Sequence, residues 1–373
     1  MKKKLARVLG RLTVGAALML FTLAGWSCEK AGVPTCRGGD PGNGSAPAGG
    51  FPARPAAVDP RRWSKLEAAV MASTQFEAKL LPEPPGVGGP NANFGTVSLS
   101  GNRALVGTRN LGVAFVYRET DNGWEQEAVL RPDQKPVERT FGSSVSLDGD
   151  RALVGAEFEN GVVPGSGAAF VFAFDGAAWT QEARLVPDSG ALGDRFGSSV
   201  SLDGGRALVG AYGVDSFTGT AHVFARNGSD WSLEDTLTAA DAQIQSRFGF
   251  SVSLDGDRAL VGNLIDASLG SPQLPGSAYV FERNGDSWSQ QAALTASDGT
   301  LQNFFGLSVS LDGDRAVVGA TAADSTIGAA YVFAFDGVDW AEELKLVASD
   351  GAVYDRFGEN VLIRGDTIVV ASR

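Results

Sequence analysis

The stretch at 141–156, FGSSVSLDGDRALVGA, is repeated along the chain, so the same packing problem must be solved several times over. The copy at Phe196 differs at one of sixteen positions, with Gly205 in place of Asp150. Further copies begin at Phe248 and Phe305, and weaker ones near Phe94 and Phe357. Val145 and Leu147 alternate with Ser144 and Ser146, the period of a strand. Asp148-Gly149 then tolerates positive φ and favours a tight two-residue hairpin, after which the chain returns through RALVG from Arg151. One copy is a β-hairpin, too small to be stable alone in water.

Two more strands complete each unit. The first is a small-aromatic-Val-aromatic run starting at Ala114, Ala169, Ala221, Ala278 and Ala330. A Gly-containing turn follows, then a tryptophan that opens a fourth strand: Trp124, Trp179, Trp231, Trp288 and Trp340. Each tryptophan stands seventeen residues before the next FG phenylalanine. Four strands in about fifty residues is the period of propeller blades. The expected fold is therefore all-β, a β-propeller of six four-stranded blades spanning 61–373.

Length variation is confined to one place. Between strands two and three the gaps are 7, 14, 11, 16 and 11 residues. Constant spacing marks packed scaffold and variable spacing marks solvent loops. The phenylalanines Phe141, Phe196, Phe248, Phe305 and Phe357 are expected to pack between neighbouring blades, and the tryptophans to cover the outer seam. The glycine after each phenylalanine is expected to permit close approach or positive φ.

Residues 1–27 read as an export signal, with Lys2, Lys3, Lys4, Arg7 and Arg11 ahead of a short apolar run. Cys28 is the candidate for lipidation, which would tether the protein to a membrane; ordinary cleavage before Cys28 fits as well. Residues 28–60 are rich in Gly, Pro and Ala and read as a flexible linker. Residues 74–82, TQFEAKLLP, align with WTQEARLVP at Trp179 and would supply a fourth strand. Combined with 357–373 they would form the closing blade and remove an exposed sheet edge. Residues 61–72 are the candidate for its missing third strand.

The formal charge is −12, and loss of the five basic leader residues takes it to −17. That argues against nucleic acid as a partner. The single histidine, His222, occupies a strand position where other units carry Phe or Tyr, so it reads as packed structure rather than a catalytic base. No HExxH, CxxC or phosphate-loop pattern occurs.

The FG, the hairpin, the VGA and the G-A-aromatic-V-F strand together resemble the FG-GAP repeat of the integrin α-subunit propeller, and in particular the bacterial FG-GAP group. The resemblance covers 74–373. It implies a β-propeller, an extracytoplasmic location and a binding or adhesion role. The Pro of GAP is missing; Glu157, Tyr212, Leu264 and Thr321 stand near its positions. Integrin-like blades carry a calcium loop resembling DxNxDGxxD between strands one and two. Here that place holds only LDGDR, as in Asp148/Asp150, Asp255/Asp257 and Asp312/Asp314. Two carboxylates on a tight turn fall short of the six to eight oxygens calcium takes. Calcium is thus the one candidate cofactor and a disfavoured one; no other metal or cofactor is expected. Asp188 with Asp194, and Asp350 with Asp355, are weaker pairs.

The leading functional expectation is a non-catalytic surface or periplasmic recognition module. It would bind protein or glycan through the strand two–three loops and the strand four–one loops, which share a face in propellers. Tyr212, Asp215, Asp266 and Asp324 are the candidate ligand-binding residues. A propeller-type polysaccharide hydrolase or lyase, and a passive envelope structural protein, are the alternatives.

Overall fold

A computed structural model of the protein describes residues 18–22, 94–109, 111–133, 140–265, 275–299 and 303–372. Each repeat folds into four antiparallel strands paired in chain order. The first sheet holds β2 (Phe94–Ser100), β3 (Arg103–Thr108), β4 (Ala114–Thr120) and β5 (Gly123–Leu130). The second holds β6 (Ser144–Asp148), β7 (Arg151–Ala156), β8 (Ala168–Phe174) and β9 (Trp179–Leu185). The third holds β10 (Ser199–Asp203), β11 (Arg206–Ala211), β12 (Thr220–Asn227) and β13 (Asp230–Leu237). The fourth holds β14 (Phe248–Asp255), β15 (Arg258–Asn263), β16 (Ser277–Asn284) and β17 (Ser287–Leu294). The fifth holds β18 (Phe305–Asp312), β19 (Arg315–Ala320), β20 (Ala329–Phe335) and β21 (Trp340–Leu346).

A further sheet pairs β22 (Asn360–Arg364) with β23 (Thr367–Ala371), and β1 (Leu18–Thr22) lies on the far side of β23. The third strand described in this sheet comes from the N-terminal segment. Residues 61–72 and 74–82 lie outside the described residues, as do the linker and Cys28.

Every apolar core is shared between one sheet and the next. Phe141 packs with Leu105, Val116 and Leu130 of the first sheet and with Phe170 and Phe172 of the second. Phe196, Phe248 and Phe305 occupy the same place at the next three seams. All of these rings are fully buried, and each meets two rings of the third strand edge-on or tilted, as in Phe248 with Tyr279 at 5.7 Å and Phe281 at 5.9 Å. Sheet stacked on sheet in chain order is consistent with a β-propeller.

The two signature glycines meet across each seam. A Cβ on Gly155 would lie 2.0 Å from the carbonyl oxygen of Gly197, the glycine of the next FG. Gly197 itself has φ +87°, so neither position accepts a side chain.

Polar contacts repeat from each unit to the next. The hydroxyls of Ser98, Ser146, Ser201, Ser253 and Ser310 accept the backbone N–H of Leu147, Leu202, Leu254, Leu311 and Ile363, at 2.9–3.0 Å. The aspartate of each DG turn accepts the N–H of the following turn's glycine, as in Asp203 with Gly256 at 2.7 Å and Asp255 with Gly313 at 2.6 Å. The next aspartate pairs backwards, as in Asp150 with Arg103 at 2.7 Å. At 357–372 the pattern breaks: Leu362 and Arg364 replace the acceptors. Arg364 Nη1 instead donates to the Leu99 carbonyl in β2, at 3.4 Å.

Four outer seams are closed by a half-buried Glu or Gln side chain. In each of the five sheets the third and fourth strands slip register between a Val and the following aromatic. The skipped residue of the fourth strand stands three after the tryptophan: Glu127, Glu182, Glu234, Gln291 or Glu343. A bulge re-aims a side chain, and four of these five reach across to the next unit's indole. Glu182 accepts from Arg151 in its own sheet and from Arg226 and Trp231 in the next, each at 3.1 Å. Glu234 does the same with Arg206, Arg283 and Trp288. The tryptophans therefore cover the outer seam as expected and also donate into it. Where Phe replaces the second arginine, the first stacks on it instead: Arg103 lies 4.3 Å from the Phe174 ring and Arg258 4.5 Å from that of Phe335.

Candidate functional site

The loops of variable length meet the strand four–one loops on one face. Gly193 donates to the Gly165 carbonyl, Gly213 to that of Asp194, Arg247 to that of Phe217, Ala322 to that of Asn303 and Tyr354 to that of Thr326. Of the large apolar side chains exposed among the described residues, eight lie in these loops: Phe158, Val162, Leu192, Phe217, Ile244, Val347, Val353 and Tyr354. Leu192, Tyr354 and Ile244 are 80%, 74% and 65% exposed.

Within this face the first residue after strand two differs in every unit: Arg109, Glu157, Tyr212, Leu264 and Thr321. Glu157 lies 3.5 Å from Arg195 Nη1 and 4.0 Å from Arg109 Nη2. The Arg195 guanidinium lies 4.4 Å from the Phe158 ring centre and 5.4 Å from that of Tyr212. Tyr212 in turn packs against Phe250 at 5.2 Å and stacks on Phe217 at 6.3 Å. Burial, reinforced by the Glu157 charge, pushes the Tyr212 hydroxyl up; Arg195, Arg247 and Arg109 pull it the other way. One candidate residue, Tyr212, is thus at the centre of an arginine–aromatic cluster.

The other candidates are placed differently. Asp215 and Asp324 hold equivalent positions in one-turn segments, Val214–Phe217 and Ala323–Thr326. Both have left-handed backbone, at φ +48° and +49°, which Asp tolerates better than most residues. Asp215 is exposed. Asp324 shares Lys345 Nζ with Asp298, at 2.9 and 2.7 Å, and Asp298 also accepts from the Tyr331 hydroxyl. Burial alone would lower the Lys345 amine, but its two carboxylate bonds raise it. Asp324 is therefore committed to an internal network. Asp266 lies outside the described residues. Sequence reasoning missed Arg195 and Glu157 as site residues.

The carboxylates of the DG turns serve the seams described above. Asp194 and Asp355 each accept a backbone N–H three residues back, from Ala191 and Ala352, both at 2.6 Å. Among the described residues no three His, Cys, Asp or Glu side chains gather as a metal centre needs. Nor, among them, is any helix long and apolar enough to cross a membrane.

His222 is buried between Thr220 and Thr236, with its ring nitrogens 3.0 and 3.1 Å from their hydroxyls, and its ring lies against Phe196. Burial lowers its pKa from 6.5 to about 4, against a weaker pull from Asp188. The unfolded chain takes up this proton first. Stability is then complete above pH 6.5 and falls as pH drops towards 4, by up to roughly 3 kcal/mol. His222→Phe should fold, since Phe115 and Phe170 hold that place elsewhere. Urea unfolding at pH 7, 6 and 5 should slope in the wild type and be flat in the variant. Equal slopes would place the titration elsewhere.

These features define a class: an all-β repeat protein with invariant seams and one variable, apolar-rimmed loop face. The chain matches the FG-GAP repeat family over 124–172, 179–224, 231–281, 288–333 and 340–373. It belongs to that family. Each match begins at a tryptophan, so the family unit is the fourth strand followed by the next FG hairpin and third strand. No curated protein matches the chain.

Proposed function

We propose that the protein is an exported, non-catalytic recognition or adhesion module that binds a protein or glycan through its loop face. The propeller would carry six blades behind the 28–60 linker; removal of residues 1–27 would take β1 from beside β23, and 74–82 would close the last blade in its place. Acylation at Cys28 would hold it to the cell envelope. The supporting observation is the gathering of exposed apolar side chains in the strand two–three and four–one loops. Such surfaces are rare on monomers unless something docks there. The polar residues that repeat are occupied in seams, which leaves the variable positions as the ones able to differ with a ligand.

The test is the mature chain on protein and glycan arrays beside the triple variant Leu192→Ser, Ile244→Ser, Tyr354→Ser. All three positions are exposed, so thermal stability should hold within about 1 kcal/mol. Loss of the array signal is expected; an identical binding profile would remove the loop face from consideration.

A further inference from the structure

The cluster around Tyr212 narrows the partner, and this narrowing rests on the loop-face reading. Three guanidiniums, of Arg109, Arg195 and Arg247, act on Tyr212, as does the carboxylate of Glu157. This gathering of arginines sits in a chain of net charge −12. Glu157 does not saturate it: its oxygens stand 3.5 and 4.0 Å from Arg195 and Arg109, beyond good hydrogen-bond length. Arg195 Nε is buried and has no acceptor. A guanidinium steadied on two aromatic rings and only loosely held by Glu157 can meet a carboxylate through its terminal nitrogens.

Around it are Phe158 and Phe217, each more than a third exposed, with the aliphatic Leu192 and Ile244 beyond. Aromatic rings can stack on sugars, but exposed Leu and Ile offer a sugar's hydroxyls nothing. They suit the apolar side chains of a protein, and arginine with aromatics is the composition of protein–protein contact centres. We propose that this cluster receives an Asp or Glu side chain of a partner protein, with an adjacent apolar side chain of the partner resting on Phe158 and Phe217. Arg195 takes the carboxylate, Arg109 supplies the second charge, and Tyr212 forms the floor.

The probe is a random dodecapeptide display library selected on the mature chain, with an array of uronate and sulfated polysaccharides run in parallel. Selected peptides should pair Asp or Glu with a neighbouring aromatic or aliphatic residue. Affinity of the best peptide, read by fluorescence anisotropy, should fall about tenfold or more in Arg195→Gln and in Arg109→Glu, and should weaken with added salt. Arg109 is well exposed, so Arg109→Glu reads the site even where Arg195→Gln compromises folding. Val338→Ser, in an exposed turn between strands three and four, should leave affinity within about twofold. Peptides lacking acidic residues, or affinity unmoved by both arginine variants, would overturn the inference while leaving the loop-face reading standing if the Leu192, Ile244 and Tyr354 variant still loses binding. Polysaccharide binding that needs Arg195, with no peptide selected, would overturn the protein partner alone. Binding of neither probe would overturn both readings.

Discussion

Phe248→Ala should lower stability by about 3–5 kcal/mol, the largest effect expected of any single truncation in the repeats. The ring is fully buried, with Leu208, Ala221 and Val223 on one side and Val261, Tyr279 and Phe281 on the other. The backbone that carries the ring is pinned as well: Gly219 pairs with Phe248 in an isolated parallel bridge, and Gly249 abuts the Thr220 carbonyl. Little relaxation is available, so the cavity term stays near its upper range. Thermal melts of the two proteins provide the measurement. An unchanged midpoint would mean that the seam is not where cohesion resides.

Glu182→Ala should cost about 3 kcal/mol, and Glu182→Gln about half of that. Removing the carboxylate strands two guanidiniums and an indole N–H, of Arg151, Arg226 and Trp231. Losing one partner of a mostly buried ion pair costs about 3–5 kcal/mol, reduced here because both arginines are near 30% exposed. Gln keeps the acceptor for the indole, as Gln291 does naturally for Trp340 at 2.8 Å. Burial alone would raise the Glu182 carboxyl, but the bonds from Arg151 and Trp231 and the arginine charges outweigh it, and the net shift is downward. The stabilisation is therefore present above the ordinary Glu range and is lost as pH falls through the lowered pKa. Denaturant unfolding at pH 7 and about pH 3 should show the wild type and Glu182→Ala converging at the lower pH. A constant difference would show that packing, not charge, holds this seam.

The sheet order, the hairpins and the buried phenylalanines were legible because identical surroundings impose identical residues at constant spacing. The seam carboxylate stands three residues after Trp124, Trp179, Trp231 and Trp340, but acidic residues are common enough here to hide it. The serine and aspartate acceptors were not legible. Asp148 is sufficient as a turn residue within its own hairpin, and only coordinates reveal that it also serves Gly204 of the next, at 3.1 Å. The loop cluster was half legible. Tyr212 stood out at a variable position, yet Arg195 comes from the opposite flank of the repeat and reaches Tyr212 only through folding. Asp324 drew attention by its charge, which Lys345 neutralises from a different strand.

The serine ladder has grammatical direction. Each unit is addressed by the one before it and addresses the one after, and Ser98 speaks first. The unit at 357–372 listens through Ile363 but, carrying Leu362 and Arg364, has no reply in the same idiom. Insertion of another copy between 141 and 356 would leave the sentence readable; a copy placed after Arg364 would find no antecedent. Two side chains thus interrupt the ladder at this unit.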